Sequence, residues 1–124
     1  VFWRRFRAQP ETPADPGVRS VDRAVDALGT FALVVAHETE LAAACTVAVL
    51  ADDPDVKVLR ERIGAELHRR LVAALGADTD PAALQTLELA TSGALLQVGT
   101  GHLDYAALPG LLASVAATVL EDTP

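Results

Sequence analysis

The side chains in this 124-residue sequence that could do chemistry are three histidines, one cysteine, a glycine-flanked threonine and a basic N-terminal cluster. His37-Glu38-Thr39-Glu40-Leu41 starts like a zinc-protease helix but lacks the second His that would complete a metal-binding face. No pair of Glu-x-x-His motifs exists for a di-iron site between helices. His68 falls about 100° off the apolar stripe of its helix and reads as solvated, and His102 follows a glycine turn, so the three His have no ligand spacing. Gly99-Thr100-Gly101 ends a helix rather than opening one, which is the wrong polarity for cradling a phosphate. Cys45 stands alone, which excludes an intrachain disulfide and, with the scattered His, a Cys-rich zinc site. Arg4, Arg5 and Arg7 sit in a chain of net charge −7 and pI near 4.7. A domain that acidic is a poor grip for a phosphate backbone, so the cluster reads as cover for a domain junction. These residues argue against an enzyme and imply no cofactor and no metal.

The elements that must position such groups are helical. Ala, Leu and Val contribute 24, 18 and 14 residues, Ile occurs once, and the aromatic share is 4%. Ala and Leu are strong helix formers, and the β-enriched residues other than Val are scarce. A chain of this length forms one domain with a single core. No apolar run approaches the roughly 18 residues of a membrane span, and there is no signal-peptide pattern. The expectation is a soluble, cytoplasmic, all-α helical bundle of about six helices. The sequence begins Val1-Phe2-Trp3 and contains no Met, and its first segment reads as the inside of a helix already under way, so the expectation is that residues upstream were cleaved, deleted or left out.

Residues 1–9 form a short basic and aromatic helix end, with Phe2 and Phe6 on one face. Residues 10–17 are a Pro-rich linker, and residues 18–124 form the main domain. A helix from Ser20, with Ser20 as its cap, to about Ala36 carries Val21, Val25, Leu28, Ala32 and Val35. A short apolar helix follows over about 40–51. Asp53-Pro54 opens a long helix with the stripe Val56, Leu59, Ile63, Leu67, Leu71 and Leu75, and Gly76 stops it. Its opposite face holds Lys57, Arg60, Glu61, Arg62, Glu66, Arg69 and Arg70, with Glu66 and Arg70 as an i, i+4 pair. Asp80-Pro81 opens another helix to about Val98. Asp104 caps a last helical stretch that Pro109-Gly110 interrupts before Leu111.

Residues 71–124 contain six acidic side chains and no Lys or Arg. One core face cannot absorb so much apolar and small surface, so a second buried surface is expected. A symmetric pair supplies one: each subunit contributes its last two helices to a four-helix dimer interface. Its expected residues are Ala83, Leu87, Ala90, Ala94, Val98, Leu112, Val115 and Val119.

The run from Leu50 to Leu71 (Leu50-Ala51-Asp52-Asp53-Pro54-Asp55-Val56 through Leu67-His68-Arg69-Arg70-Leu71) resembles the middle of the C-terminal domain of TetR-family transcriptional regulators. So does Leu87-Glu88-Leu89-Ala90-Thr91-Ser92-Gly93-Ala94-Leu95-Leu96-Gln97-Val98-Gly99-Thr100-Gly101, followed by His102-Leu103-Asp104-Tyr105 and the final helix. The likeness covers about residues 18–122 and rests on helix order and local wording. It implies a regulator in which an N-terminal helix-turn-helix domain, not contained in this sequence, binds operator DNA. The helical C-terminal domain would dimerise through its last two helices and bind a small effector, and residues 1–8 would resemble the end of the helix joining the two parts.

On that resemblance a ligand entering the core would shift the two DNA-reading heads through its different affinity for two states. The candidate pocket groups are Phe31, Cys45, Thr46, Thr91 and Gln97, and their apolar neighbours suggest a lipophilic effector. Each has a plainer alternative. Phe31 can be ordinary core and Cys45 a small buried hydrophobe. Thr46 and Thr91 can bond a preceding carbonyl, and Gln97 can face a partner subunit. The competing function is a helical dimerisation scaffold that holds no small molecule.

Overall fold

The structure is a computed structural model that describes residues 2–38, 40 and 53–120. Its helices are α1 (Phe2–Arg7), α2 (Ser20–His37), α3 (Pro54–Leu75), α4 (Pro81–Gly99) and α5 (Leu108–Leu120), with a 3₁₀ turn over Tyr105–Ala107. The described residues contain no strand, and the fold is an all-α single domain. The apolar helix expected over 40–51, and with it Cys45 and Thr46, lies outside the described residues apart from Glu40.

The two Asp-Pro starts form as their chemistry dictates. The Asp53 carboxylate accepts from the Asp55 N–H at 2.9 Å and Asp80 accepts from Ala82 N–H at 3.0 Å. In each case proline occupies the first turn, where its missing N–H costs nothing. Gly76 and Gly101 end α3 and α4 at φ 91° and 83°, a region costly for any side chain with a Cβ. After α4 the His102 N–H returns to the Gln97 carbonyl at 2.9 Å and the Gly101 N–H to Val98 at 3.3 Å, a Schellman closure with glycine at its left-handed position.

Two boundaries differ from expectation. Arg19, not Ser20, is the N-cap of α2, and no side chain caps it. Ser20 is already helical, and its hydroxyl accepts from Arg23 at 3.2 Å. Asp22, paired with Arg19 at 3.1 Å, supplies the negative charge that the helix start favours. At the other end, Pro109-Gly110 does not interrupt the last helix. Asp104 caps the 3₁₀ turn, which runs directly into α5, and Pro109 lies in the first turn of α5, where proline is tolerated.

The central element is α2, which packs against α1, α3, α5 and the 3₁₀ turn. Ala24, Ala27, Leu28, Phe31, Ala32, Val34 and Val35 are its buried residues, so its C-terminal half is enclosed on most of its circumference. The core is completed by Leu67, Leu71, Ala74 and Leu75 of α3, Leu87, Ala94 and Val98 of α4, and Leu108, Leu112, Ala116 and Leu120 of α5. Along α3, Val56, Leu59 and Ile63 are half-buried and Leu67 and Leu71 are buried, so the expected stripe engages the bundle mainly through its second half.

Candidate functional site

Two regions stand out. The first is polar and buried. A six-residue helix such as α1 leaves its last four carbonyls without intrahelical donors. Here every one has a partner. The Ala8 N–H reaches the Arg4 carbonyl at 3.0 Å, and the Gln9 side-chain amide reaches Arg5 at 3.0 Å. Phe6 accepts from the Gln9 N–H at 3.1 Å and from Arg70 Nη2 at 3.0 Å, and Arg7 accepts from Arg70 Nη2 at 3.3 Å. The same guanidinium donates to the carbonyls of Gln9 at 2.9 Å and Pro10 at 3.1 Å. Its Nε donates to Glu66 at 3.2 Å, and it lies 5.0 Å from the centroid of the Phe6 ring. The Phe6 ring in turn packs 5.1 Å from Phe31.

Arg70 is only 3% exposed and Glu66 only 7%, so these two do not lie on a face turned away from the core, as their place opposite the apolar stripe implies. The i, i+4 pair exists, but as a buried ion pair. Arg70 lies seven residues after the half-buried Ile63, within about 20° of the same helical stripe. That spacing was the signal in the sequence, and its charge hid it. Around this pair, Arg69 binds Glu66 and reaches Glu11 at 2.5 Å, the Thr12 hydroxyl donates to Asp26 of α2 at 2.5 Å, and Arg5 pairs with Glu38 at 3.0 Å. The Arg69 hydrogen bond is the leading cause that holds the Glu66 carboxyl below its ordinary 4.5, against the opposing effect of burial. The expected Pro-rich linker is thus strapped onto α2 and α3. Arg7 lies over the Trp3 ring at 6.0 Å, so Arg5 and Arg7 of the basic cluster are both engaged within the chain.

The second region is the outer side of α4. Its core face is Leu87, Thr91, Ala94 and Val98. Leu89 and Leu96, seven residues apart, share a stripe roughly opposite Leu87, and they are 66% and 47% exposed. Of the residues expected in a dimer interface, Leu87, Ala94, Val98 and Leu112 lie in this chain's own core, where α4 packs against α5 and α3, and α5 packs against α4 and α2. Ala83, Val115 and Val119 are half-buried and packed against that core, and Ala90 is half-buried. The apolar surface that remains outward on α4 is therefore the Leu89–Leu96 stripe, neither residue of which is among those expected at the interface.

The expected pocket residues are not all gathered. Phe31 is a core residue against Phe6. Thr91 is buried, but its hydroxyl donates to the Leu87 carbonyl at 2.7 Å, the plainer role anticipated for it. Gln97 is exposed, and its backbone carbonyl serves the helix stop after α4. Cys45 and Thr46 lie outside the described residues. His68 is exposed and bridges α3 to α4 through Glu88 at 2.7 Å, and His102 sits 3.2 Å from the Thr100 hydroxyl. Among the described residues no three His, Cys, Asp or Glu side chains assemble as a metal site, and no helix is long and apolar enough to cross a membrane.

No protein-family model matches the chain, and no solved structure does. Three curated proteins match it closely. All three carry the name uncharacterized HTH-type transcriptional regulator: one is from Mycobacterium bovis and two are from strains of Mycobacterium tuberculosis. Each is 44% identical over 100 residues, which is 79% of this chain and 47% of the relative. The chain spans about half the length of the relatives it matches, and what it resembles is that half of an HTH-type transcriptional regulator.

Proposed function

We propose that this chain is the effector-binding and homodimerisation domain of a TetR-like transcriptional regulator. In this reading a helix-turn-helix domain outside residues 1–124 binds operator DNA, and a small lipophilic effector modulates it in the cytoplasm. The observation that carries the proposal is the 44% identity to proteins named HTH-type transcriptional regulators across 79% of the chain. The all-α fold and the absence of Lys and Arg from residues 71–124 support it. Leu89 and Leu96, exposed seven residues apart on one face of α4, are where this reading places the contact with a second copy.

A scaffold without an effector is the second reading. It draws support from Thr91, whose hydroxyl is taken up by its own helix, and from the exposure of Gln97. Native mass spectrometry of the purified chain separates the two. The sensor reading expects twice 12.9 kDa plus a small-molecule mass that disappears on denaturation. A dimer that never carries added mass, even after incubation with a library of lipophilic compounds, would favour the scaffold.

A further inference from the structure

We infer that Arg70 and Glu66 form a clasp through which α3 holds α1 in its helical state and fixes the course of the strap over residues 8–12. The clasp is independent of the regulator reading, because it stands on the geometry of residues 2–12 and 66–70 alone. Three observations carry it. The last four carbonyls of α1, Arg4 to Arg7, have no donors within the helix whatever its length, so groups outside α1 must hold its end. Beside the packing of Phe6 on Phe31 and the Arg5–Glu38 pair, four of the carbonyls at the end of α1 and in the strap converge on one side chain: the Arg70 guanidinium reaches those of Phe6, Arg7, Gln9 and Pro10 and stacks on Phe6. Glu66 aims that guanidinium from one turn earlier on α3, while Arg69 ties the same carboxylate outward to Glu11 on the far side of the strap.

The consequence is reciprocal. A displacement of α3 by a fraction of a turn at residues 66–70 removes donors from the end of α1, and unwinding of α1 strands the buried guanidinium of Arg70. The two segments therefore move as one cooperative unit, which lets a change in the bundle be felt at Trp3 and Arg4. Only arginine suits the position. Its planar fork presents five N–H donors to carbonyls on several sides, whereas a lysine ammonium offers three donors from a single point.

The test is amide hydrogen exchange on the 124-residue chain, with Trp3, its sole tryptophan, as a second reporter. In Arg70→Gln, the amides of Ala8 and Gln9 should exchange about tenfold faster or more, while amides at 94–98 and 112–120 keep their protection. Arg70→Lys, which keeps the charge, should fail to restore the protection, and Trp3 emission should shift in both variants. Unchanged exchange at 8 and 9 in Arg70→Gln, or full recovery in Arg70→Lys, would overturn the clasp. If Arg70→Gln does not fold, native-state exchange of the unsubstituted chain in graded denaturant decides. Residues 4–9 and 66–70 opening together supports the clasp, and residues 4–9 opening at lower denaturant than 66–70 overturns it.

Discussion

The two ends of this bundle are held by opposite means. Around α1, a buried arginine, a buried glutamate and a run of backbone carbonyls make directional contacts, each with a required partner. Across α4 and α5 the contacts are Leu, Val and Ala against one another, without Lys or Arg on either helix. Charged hydrogen-bonded groups specify one geometry and are costly to leave half-made. Apolar packing is non-directional, and here it leaves leucines facing outward as well as inward. The charged end thus holds one arrangement of its own chain, while the apolar end leaves Leu89 and Leu96 exposed, the surface that the proposed dimer would use.

The largest expected effect breaks the charged end. Arg70→Ala leaves the carbonyls of Phe6, Arg7, Gln9 and Pro10 without that donor in a buried site and leaves Glu66 with Arg69 alone, and should cost on the order of 3–5 kcal/mol in urea denaturation. At the apolar end, Leu87→Ala removes a fully buried side chain and should cost about 2–5 kcal/mol. Acid separates the two ends. Because the Glu66 pKa in the folded chain is lowered below its ordinary 4.5, chiefly by the Arg69 hydrogen bond, its contribution is present above that value and fades as pH falls through the folded pKa. A pH series of denaturation midpoints should show that loss below about pH 4.5 in Leu87→Ala and a shallower one in Glu66→Gln. An identical acid slope in both variants would mean that the charged end contributes no more than the apolar one.

Smaller effects sharpen the contrast. Asp80→Ala removes the cap of α4 and should cost about 1 kcal/mol, whatever the pH above the carboxylate range. His68→Ala breaks an exposed bridge between α3 and α4 and should cost under about 1 kcal/mol, because solvent screens such pairs. At high pH, burial raises Tyr105 above its ordinary 10.0, so absorbance titration of this one tyrosine should give a higher midpoint in the folded chain than in urea. By the same linkage its contribution to stability is lost as pH rises above that ordinary value.

Much of this fold can be read from local chemistry. Asp53-Pro54 and Asp80-Pro81 announce their helices because cap and proline act within three residues, and Gly76 and Gly101 mark stops that require positive φ. Arg70 escapes such reading because its partners are some 60 residues away in sequence, and a charged residue on an amphipathic helix is solvated by default. The start of α2 escapes because Ser20 looks like a cap, although the Arg19–Asp22 pair sets the boundary one residue earlier. On α4, apolar residues occupy nearly every direction, so periodicity could not tell which stripe faces α5 and which faces outward. Packing chose Leu87, Thr91, Ala94 and Val98 for the inside and left Leu89 and Leu96 outside. The same ambiguity hid which of the two anticipated pocket residues on α4 is buried, Thr91, and which is exposed, Gln97.

Sedimentation equilibrium of the chain beside a Leu89→Arg, Leu96→Arg variant tests most directly whether the apolar end is a dimerisation surface. The account predicts twice 12.9 kDa for the unsubstituted chain and a single 12.9 kDa species for the variant at unchanged helicity, since both positions are exposed. A monomer for the unsubstituted chain at micromolar concentration, or a variant that still dimerises, would contradict it.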